Sequence, residues 1–448
     1  MLNAIQWFVG LGASVVLPIL IFIFGLILGT KPGKAFVAAL TVGVGFIGLN
    51  LVIGLLTSSL GAAAQQMVSR FHLHLNVIDI GWPAASAISY GTALGSMSIP
   101  IAIIVNVILL VFGLTRTLNI DIWNMWHAAF IASLTYALTQ SWTMGVAAIV
   151  VYTMMVLFMG DVIGPKIGKF YGFPDITFPH GDSAPGYFIA LPFQWLFNRI
   201  PGFKDLKADP ETIQKRFGIF GDSTVMGFII GLIIGVLAGQ NFTQVAQLSV
   251  QTAAVMILMP RMVSLLMEGL MPISEAAKVF IEKRFPGRKL YLGMDSALSI
   301  GHPAVLSASL LMVPITILLA VVLPGNSTIP FGDLATIPYL VCLMAVVFEG
   351  NVIRTVVAGS IYMISVLYIA SWVSPLVTSA AKAAKFNLEG HAHITALVEG
   401  GIWPTLVYMG GIKLIGWGIF VIVFLLLLGG MIYTHKILPK RESKTESK

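Results

Sequence analysis

The apolar stretch GASVVLPILIFIFGLILG, residues 12–29, decides the fold class of this chain. A run of this length without a charge is enough for a helix to cross a hydrocarbon layer of about 30 Å. Similar windows recur along the chain, for example at 40–56 and 411–432. The residues before the first window, MLNAIQW, are uncharged. We therefore expect a retained membrane span here and not the positive start of a cleaved signal peptide.

The composition places most of the chain in lipid. Of its 448 residues 57% are hydrophobic and 10% are charged, and the mean hydropathy is +0.92. A soluble core could not bury this much apolar surface. We predict an all-α polytopic membrane protein with about eleven transmembrane helices plus re-entrant hairpins.

The basic residues predict how the chain is oriented. The net charge is +7, and the lysines and arginines are concentrated in polar islands between the apolar windows. Because positive residues favour the cytoplasmic side of a membrane, this charge indicates topology better than it indicates nucleic-acid binding. The islands are Lys31–Lys34, Arg199–Arg216, Lys278–Lys289 and Lys436–Lys448. If all are cytoplasmic, the N-terminus is outside, the C-terminus is inside and the number of crossings is odd.

An internal repeat predicts two related halves. Aligning Gly29 with Gly239 superposes the apolar windows 12–57 and 221–268, and a slightly larger shift puts Asp79 opposite Asp295. The first span ends at a basic island, whereas its counterpart begins after one and runs outward. The halves are therefore expected to be inverted, an arrangement typical of transporters with a substrate site near the membrane midplane.

His180 lies in the broken segment TFPHGDSAPG, residues 177–186. Pro179 and Gly181 interrupt a helix there, and non-helical backbone is tolerated at membrane depth only where protein or a water-filled cavity satisfies it. An imidazole that donates and accepts suits a polyhydroxylated ligand. The alternative is a histidine in a hydrophilic connection before the cytoplasmic loop.

His127 follows two tryptophans in NIDIWNMWHAAF, and Trp123 is four residues before it. Residues four apart share one face of a helix, so an aromatic ring and a histidine could contact a sugar alcohol together. The alternative is an interfacial tryptophan anchor with a histidine that reaches towards water.

Asp295 in GMDSALSIGHPAV has His302 seven residues on, about two helical turns away. A carboxylate accepts hydroxyl hydrogen bonds strongly, which favours a role in ligand binding. Capping of a helix by Asp295 is the alternative. The related segment of the first half, IDIGWPAAS, contains Asp79 and Ser86, for which both a site role and a structural role remain open.

Other ionisable residues favour structural roles. Asp121 and Asp333 each follow a short polar connection before an apolar window, so we predict that they cap helices. Glu349 and Arg354 are five residues apart in an apolar region, and we predict that they pair with each other. The alternative is that Glu349 faces the substrate.

The chain offers no constellation for bound metal, nucleotide or phosphoryl chemistry. His391 and His393, with Glu389 nearby, have too few ligands for a metal site. The nucleotide-binding motif GxxxxGK[ST] does not occur in the sequence. Cys342, the single cysteine, lies in an apolar run and excludes an internal disulfide. We expect no catalytic residue, no cofactor and no phosphorylated residue in this chain.

Eight segments, in order, resemble the galactitol-family enzyme IIC of the bacterial phosphotransferase system, within the ascorbate/galactitol superfamily. They are IDIGWPAAS, NIDIWNMWH, FPHGDSA, IQKRFGIFGD, TAAVMILMPR, GMDSALSIGHPAVLSASL, LAVVLPGNSTIPFGDLATI and EGNVIRT. The resemblance extends from Val16 to about Val373. The chain departs from the family pattern at Asp182, at Glu349 and in AISYGTALGSM, so the identity of the polyol stays open.

The resemblance implies a permease of the bacterial cytoplasmic (inner) membrane. It would bind galactitol or a related polyol outside and present it inward. A separate cytoplasmic IIB protein, supplied by IIA, would phosphorylate the polyol from a phosphocysteine. The resemblance also implies a homodimer with an elevator-type core and scaffold, and substrate contacts at Ser86, His127, His180 and Asp295. Our sequence-based site adds His302.

With a core and a scaffold in each repeat, we expect a first membrane repeat, a cytoplasmic loop, a second repeat and a C-terminal span. The boundaries are 1–200 (scaffold helices 1–60, core 75–200), 201–218 for the loop, and 219–373 (scaffold helices 219–270, core 290–373). An extracytoplasmic connection at 374–411, a last transmembrane helix at 412–433 and a cytoplasmic tail at 434–448 complete it. Two rival functions are a proton-coupled secondary transporter with Asp295 and the histidines as relay, and an intramembrane enzyme, for which the sequence offers no metal-binding or nucleophile constellation.

Overall fold

The computed structural model describes residues 7, 11, 13–70, 76–121, 123–206, 208–211, 223–284, 290–330, 332–386, 388 and 392–437. Within this part the chain is predominantly helical, and five helices are long and apolar enough to cross a membrane, with several shorter apolar helices beside them. The predicted class of polytopic helical membrane protein is thereby confirmed. The number of eleven crossings stays a prediction.

A pair of helices opens each half of the chain. The first pair is α1 (Ala13–Ile27) with α2 (Pro32–Arg70), and the second is α9 (Ser223–Leu237) with α10 (Phe242–Arg284). Gly29 and Gly239 follow the first helix of each pair at φ of +86° and +73°. Glycine adopts this left-handed backbone without strain, so it ends both helices in the same way. The long helices α2 and α10 pack along each other.

After its helix pair, each half continues with short strands between helices. In the first half the elements are β1 (Val77–Asp79), α3 (Gly81–Gly91), α4 (Ala93–Ser96), α5 (Ser98–Val111), β2 (Thr117–Asn119), a 3₁₀ turn (Trp123–Met125), α6 (Trp126–Thr139), α7 (Trp142–Tyr171), β3 (Ile176–Thr177) and α8 (Ala184–Phe197). In the second half they are β4 (Tyr291–Gly293), α11 (Ala297–Ile300), α12 (Pro303–Val322), β5 (Thr328–Ile329), a 3₁₀ turn (Leu334–Thr336), α13 (Ile337–Val347), α14 (Val352–Ala383), β6 (His393–Thr395), α15 (Leu397–Gly400) and α16 (Trp403–Ile415). Helix α17 (Gly418–Ile432) and a π-helical turn (Tyr433–Ile437) follow.

The six short strands form two parallel three-stranded sheets in which the halves exchange strands. One sheet has the order β5-β1-β6 and the other β2-β4-β3. The first strand of each half therefore lies at the centre, between the second and third strands of the other half. These strands correct the expectation of an all-α fold. They give hydrogen-bond partners to broken backbone that lipid could not satisfy.

Two buried aspartates fasten the β5-β1-β6 sheet to the segments that follow its strands. Asp79 accepts hydrogen bonds from the backbone N–H groups of Gly81 (3.1 Å), Asp333 (2.8 Å) and Leu397 (2.9 Å). Asp333 accepts from the N–H groups of Trp82 (2.8 Å) and Val398 (3.0 Å). The two carboxylates thus join three chain segments that are far apart in sequence, which is a structural role as predicted for Asp333.

Arg354 fastens the polar loop after α8. Its guanidinium donates to Gln194 and Asn198, each at 3.1 Å, and to the carbonyls of Phe203 and Lys204. The predicted pair with Glu349 was wrong: no such ion pair occurs in the described part of the chain, and Glu349 is exposed. A planar fork matches several carbonyl and amide oxygens at once, and the loop presents them.

The residues expected as an extracytoplasmic connection, 374–411, contain regular structure. They include the end of α14, strand β6, helix α15 and most of α16. Some sequence predictions lie outside the described residues. These concern Lys207, Lys215, Arg216, Arg288, Lys289, Glu389, His391 and the tail 438–448.

Candidate functional site

A cavity of about 430 Å³ is lined by residues that follow the strands of both sheets. The polar residues that line it are Asn124, His127, His180, Asp182 and Asp295. The aromatic residues that line it are Phe46, Trp82, Trp126 and Tyr339. Flat apolar rings beside a few convergent polar groups are typical of small-molecule sites, and they suit a ligand with both C–H and O–H groups.

Parallel strands bring the polar residues together, because their carboxyl ends meet at one edge of the sheet. In the β2-β4-β3 sheet, His127 follows β2 through the 3₁₀ turn, Asp295 follows β4, and His180 follows β3. The other sheet contributes in the same way. Trp82, Thr336 and Val398 follow β1, β5 and β6 and also line the cavity. The cavity therefore lies between the carboxyl edges of the two sheets.

His127 is oriented by a carboxylate from the far end of the chain. Its Nδ1 lies 2.6 Å from Oε2 of Glu399, and both side chains are almost completely buried. The Tyr152 hydroxyl donates to the other oxygen, Glu399 Oε1, at 3.1 Å. The Trp126 ring lies against the imidazole with 4.3 Å between centroids. This burial excludes the interfacial-anchor alternative for His127.

His180 is oriented in the same manner by Asp182. Its Nδ1 is hydrogen-bonded to Asp182 Oδ1, and the Ser296 hydroxyl lies 3.0 Å from the same nitrogen. Ser183 Oγ donates to Asp182 Oδ1 at 2.7 Å. The Nε2 atom of His180 lies 3.4 Å from Nε2 of His127, and the two rings meet edge to face. His180 is thus a buried cavity residue and not a solvated loop histidine.

Asp295 has both of the roles that the sequence left open, because it caps a turn and also lines the cavity. Its Oδ1 accepts a hydrogen bond from the N–H of Ala297 at 2.8 Å, which fixes the turn into α11, and the same atom lies 3.7 Å from His180 Nε2. Asp295 and Phe46 also line an adjoining cavity of about 400 Å³, together with Asp121. Asp121 accepts from the backbone N–H of Asn124 and so caps the 3₁₀ turn, as predicted.

Two predicted site residues lie elsewhere. His302 accepts from the N–H of Ala304 at the start of α12, and its ring packs against Phe170 and Tyr171. Ser86 is buried within α3, and neither residue lines the cavity. The side chain of Trp123 lies outside the described part; the tryptophans that line the cavity are Trp82 and Trp126.

The sequence analysis missed Glu399 and treated Asp182 only as a departure from a pattern. A signal for Glu399 was present. Glu399 is an ionisable residue in the apolar segment TALVEGGIWP, and such residues are usually functional in a membrane protein. Its position after β6 corresponds to the position of Gly181 after β3 in TFPHGDSAPG.

Two overlapping groups of described residues have the proximity of metal ligands, with potential ligand atoms within 4.8 Å of one another: His127 with His180 and Asp182, and Asp121 with His180 and Asp295. In the first group a hydrogen bond between His180 Nδ1 and Asp182 Oδ1 accounts for the proximity. In the second group Asn124 donates to both carboxylate oxygens of Asp121. We therefore treat these residues as parts of a buried hydrogen-bonding cluster.

Comparison with known families identifies the kind of protein that has this cavity. The family model for EIIC-GAT, described as the sugar-specific permease component of the phosphotransferase system, matches residues 7–390. The chain belongs to this family. As an EIIC-GAT permease component with several apolar helices, it is a multi-pass protein of the inner membrane. The resemblance found in the sequence segments is confirmed.

Curated relatives agree with the family. The galactitol-specific EIIC components of Escherichia coli strains K12 and O157:H7 are each 42% identical over 399 residues, which is 89% of this chain and 88% of theirs. A third relative, named as a permease IIC component of E. coli K12 without a stated sugar, is 37% identical over 89% of this chain and 91% of its own length. The similarity extends over nearly the whole permease.

Proposed function

We propose that this EIIC-GAT permease binds galactitol or a related sugar alcohol in the cavity between the two sheets and moves it inward. The observation that supports this most is the convergence of His127, His180 and Asp295 on one cavity that aromatic rings also line. Imidazole and carboxylate groups bind hydroxyls, while the rings pack against C–H faces. The relatives named for galactitol support the choice of a hexitol.

Inward movement is coupled, in this proposal, to phosphorylation by a separate IIB protein that is itself supplied by IIA. The absence of a nucleotide-binding loop from the sequence and the family membership support this coupling. Cys342 is fully buried, so it is not the phosphoryl acceptor for a soluble partner.

The permease reconstituted in vesicles tests the coupling. With phosphorylated IIB inside, external galactitol should be consumed and internal galactitol phosphate should appear; with unphosphorylated IIB, neither should. A panel of other hexitols, pentitols and ketoses identifies the preferred substrate. Accumulation of unmodified polyol driven by a proton gradient alone would contradict the proposal.

The second candidate function is a proton-coupled polyol transporter, which would accumulate unmodified polyol in a proton gradient. The observation that favours it is the buried cluster of two histidines and several carboxylates, since intramembrane ionisable groups form proton relays in secondary transporters. Counterflow measured against pH without IIB distinguishes the two.

We further propose two inverted repeats, with the helix pairs α1–α2 and α9–α10 as scaffold and the remaining elements of each half as core. The matching order of elements and the exchange of strands between the sheets support this organisation. The second core then extends past residue 373 to α16, because β6 pairs with β1, Val398 lines the cavity and Glu399 is hydrogen-bonded to His127. The proposed assembly is a homodimer with elevator-type movement.

A reversible cross-link tests the movement. Phe46 on α2 and Thr336 in the core both line the cavity. In a Cys342→Ser background, the pair Phe46→Cys and Thr336→Cys should stop transport when oxidised and recover it when reduced. Transport by the oxidised pair would rule out movement of the core past α2.

A further inference from the structure

The two histidines of the cavity belong to matching pairs that face each other. Glu399 is hydrogen-bonded to Nδ1 of His127, and Asp182 is hydrogen-bonded to Nδ1 of His180. Both pairs are buried. Because an imidazole is ordinarily more basic than a carboxylate, the proton of the first pair belongs to Nδ1 of His127, and Glu399 accepts on both oxygens, the second from Tyr152. The same argument places the proton of the second pair on Nδ1 of His180, with Asp182 as the acceptor.

This arrangement limits what the Nε2 atoms can do. With both Nδ1 atoms protonated, the Nε2 atoms of His127 and His180 face each other at 3.4 Å. Two unprotonated nitrogens at this distance would oppose their lone pairs, and two protonated ones would oppose their N–H groups. A single proton shared between the two Nε2 atoms removes both conflicts, because one nitrogen then donates a hydrogen bond and the other accepts it. The surrounding carboxylates favour this positive charge.

The titratable groups around the pair come from every element that surrounds it. They are Asp121 before the 3₁₀ turn, Tyr152 on α7, Asp182 in the loop before α8, Asp295 after β4, Tyr339 on α13 and Glu399 in α15. Of the carboxylates beyond the two pairs, Asp295 is nearest, with its Oδ1 at 3.7 Å from His180 Nε2.

We propose that Glu399 is a positioning residue for polyol binding: it fixes the Nδ1–H tautomer of His127, so that the opposed His127 and His180 share one proton and offer neighbouring hydroxyls one donor and one acceptor. The inference rests on the proposed function. It deepens that function by assigning a role to a residue at the end of the second half. Oxygens on adjacent carbons of a polyol lie about as far apart as the two Nε2 atoms, so both nitrogens can be engaged together.

Glu399→Gln tests the proposal because an amide reverses the tautomer. Its oxygen can still accept from Tyr152, and its NH₂ group then donates to His127 Nδ1, which leaves the proton of the neutral imidazole on Nε2. The polyol affinity of the purified wild-type permease, titrated with galactitol, should fall as pH rises and the shared proton is lost. In Glu399→Gln the His127 Nε2–H and the unprotonated His180 Nε2 supply the donor and the acceptor without an extra proton, so this alkaline fall should disappear. The affinity at low pH should drop by about tenfold, because the positive charge that strengthens the hydrogen bonds to the polyol is lost.

Two variants serve as controls. Glu399→Asp keeps a carboxylate and should retain the alkaline fall with a smaller loss of affinity. His435→Asn removes a different buried histidine–carboxylate pair, His435 Nε2 with Asp161 at 2.9 Å, which does not line the cavity. Its pH profile should match that of wild type.

A second readout needs no substrate. In protein labelled with ¹⁵N-histidine, the His127 signal should report Nδ1–H in the wild type and Nε2–H in Glu399→Gln. An unchanged tautomer, or a Glu399→Gln profile parallel to wild type at reduced affinity, would overturn the proposal. Failure of galactitol to bind the wild type would instead count against the proposed function, since the tautomer measurement is independent of it.

Discussion

At the scale of single residues, the cavity depends on side chains that are held by other side chains. Asp182, Ser183 and Ser296 surround one imidazole nitrogen of His180, while the other nitrogen faces His127. A binding group fixed in this way loses little conformational entropy when a ligand arrives. Substitutions of the supporting residues should therefore weaken ligand binding, just as substitutions of the residues that contact the ligand do.

His180→Ala and Asp295→Ala should each weaken galactitol binding by roughly tenfold to a hundredfold, because each removes a buried, charge-assisted hydrogen-bonding group. Titration of the purified variants measures the effect, and size-exclusion chromatography checks that they remain folded. His302→Gln is the matched control, since His302 lies outside the cavity. Normal binding by both alanine variants would show that the cavity is not the polyol site.

Gly181→Ala should reduce binding severely. A Cβ atom at this position would overlap the Tyr152 hydroxyl and lie 3.0 Å from His127 Cβ, so the bond from Tyr152 to Glu399 could not persist. Gly33→Ala, where an added Cβ meets nothing within 4 Å, is the control. The affinity of the two variants for galactitol should differ by at least about tenfold, and equal affinities would contradict the packing described here.

How far these residues could be predicted depends on what positions them. His127, His180 and Asp295 were found from sequence because each lies beside helix-breaking or aromatic residues in an apolar region. Glu399 was missed, since its role depends on β6 pairing with β1 far along the chain. His302 was included because two turns of a helix would place it beside Asp295, but the helix is interrupted between them, and α12 begins only at Pro303.

At the scale of elements, short parallel strands align the loops that build the site. The helix pairs α1–α2 and α9–α10 could be predicted, because length and hydropathy are enough to identify them. The strands could not, because two or three residues have no periodicity of their own and form only when partners more than a hundred residues away are present. Their carboxyl ends then determine which loops meet.

Asp79→Ala should lower the stability of the β5-β1-β6 sheet. Three backbone N–H groups, those of Gly81, Asp333 and Leu397, would lose their acceptor in a buried region. We expect a loss on the order of 3 kcal/mol or more, seen as a lower thermal unfolding midpoint in detergent. Asp205→Asn, at an exposed position, should leave the midpoint unchanged.

Arg354→Lys should release the loop after α8. Lysine keeps the charge but cannot donate to Gln194, Asn198 and the carbonyls of Phe203 and Lys204 at the same time. Trypsin should cleave after Arg199 or Lys204 roughly tenfold faster than in wild type. Glu349→Gln, at an exposed position next to the same helix, is the control, and equal cleavage rates would show that Arg354 does not fasten the loop.

At the scale of the whole molecule, the proposed topology places the C-terminus in the cytoplasm and the N-terminus outside. Cys342 is fully buried, so the wild-type protein should not react with a membrane-impermeant maleimide. A cysteine introduced at Lys440 should react only from the cytoplasmic side, and one introduced at Asn3 only from the outside. Labelling of Lys440→Cys in intact cells would reverse the orientation that the basic islands predict.

The exchange of strands between the two sheets has a consequence for biosynthesis. Strand β1 leaves the ribosome long before either of its neighbours, β5 and β6, has been made. Strands β2 and β3 can pair only after β4 has been made. The first half therefore enters the membrane with incomplete sheets, and it can be completed only after residue 395 has been translated. Because these strand pairings join residues far apart in sequence, the loops that line the cavity can take their final arrangement only after both halves have been made.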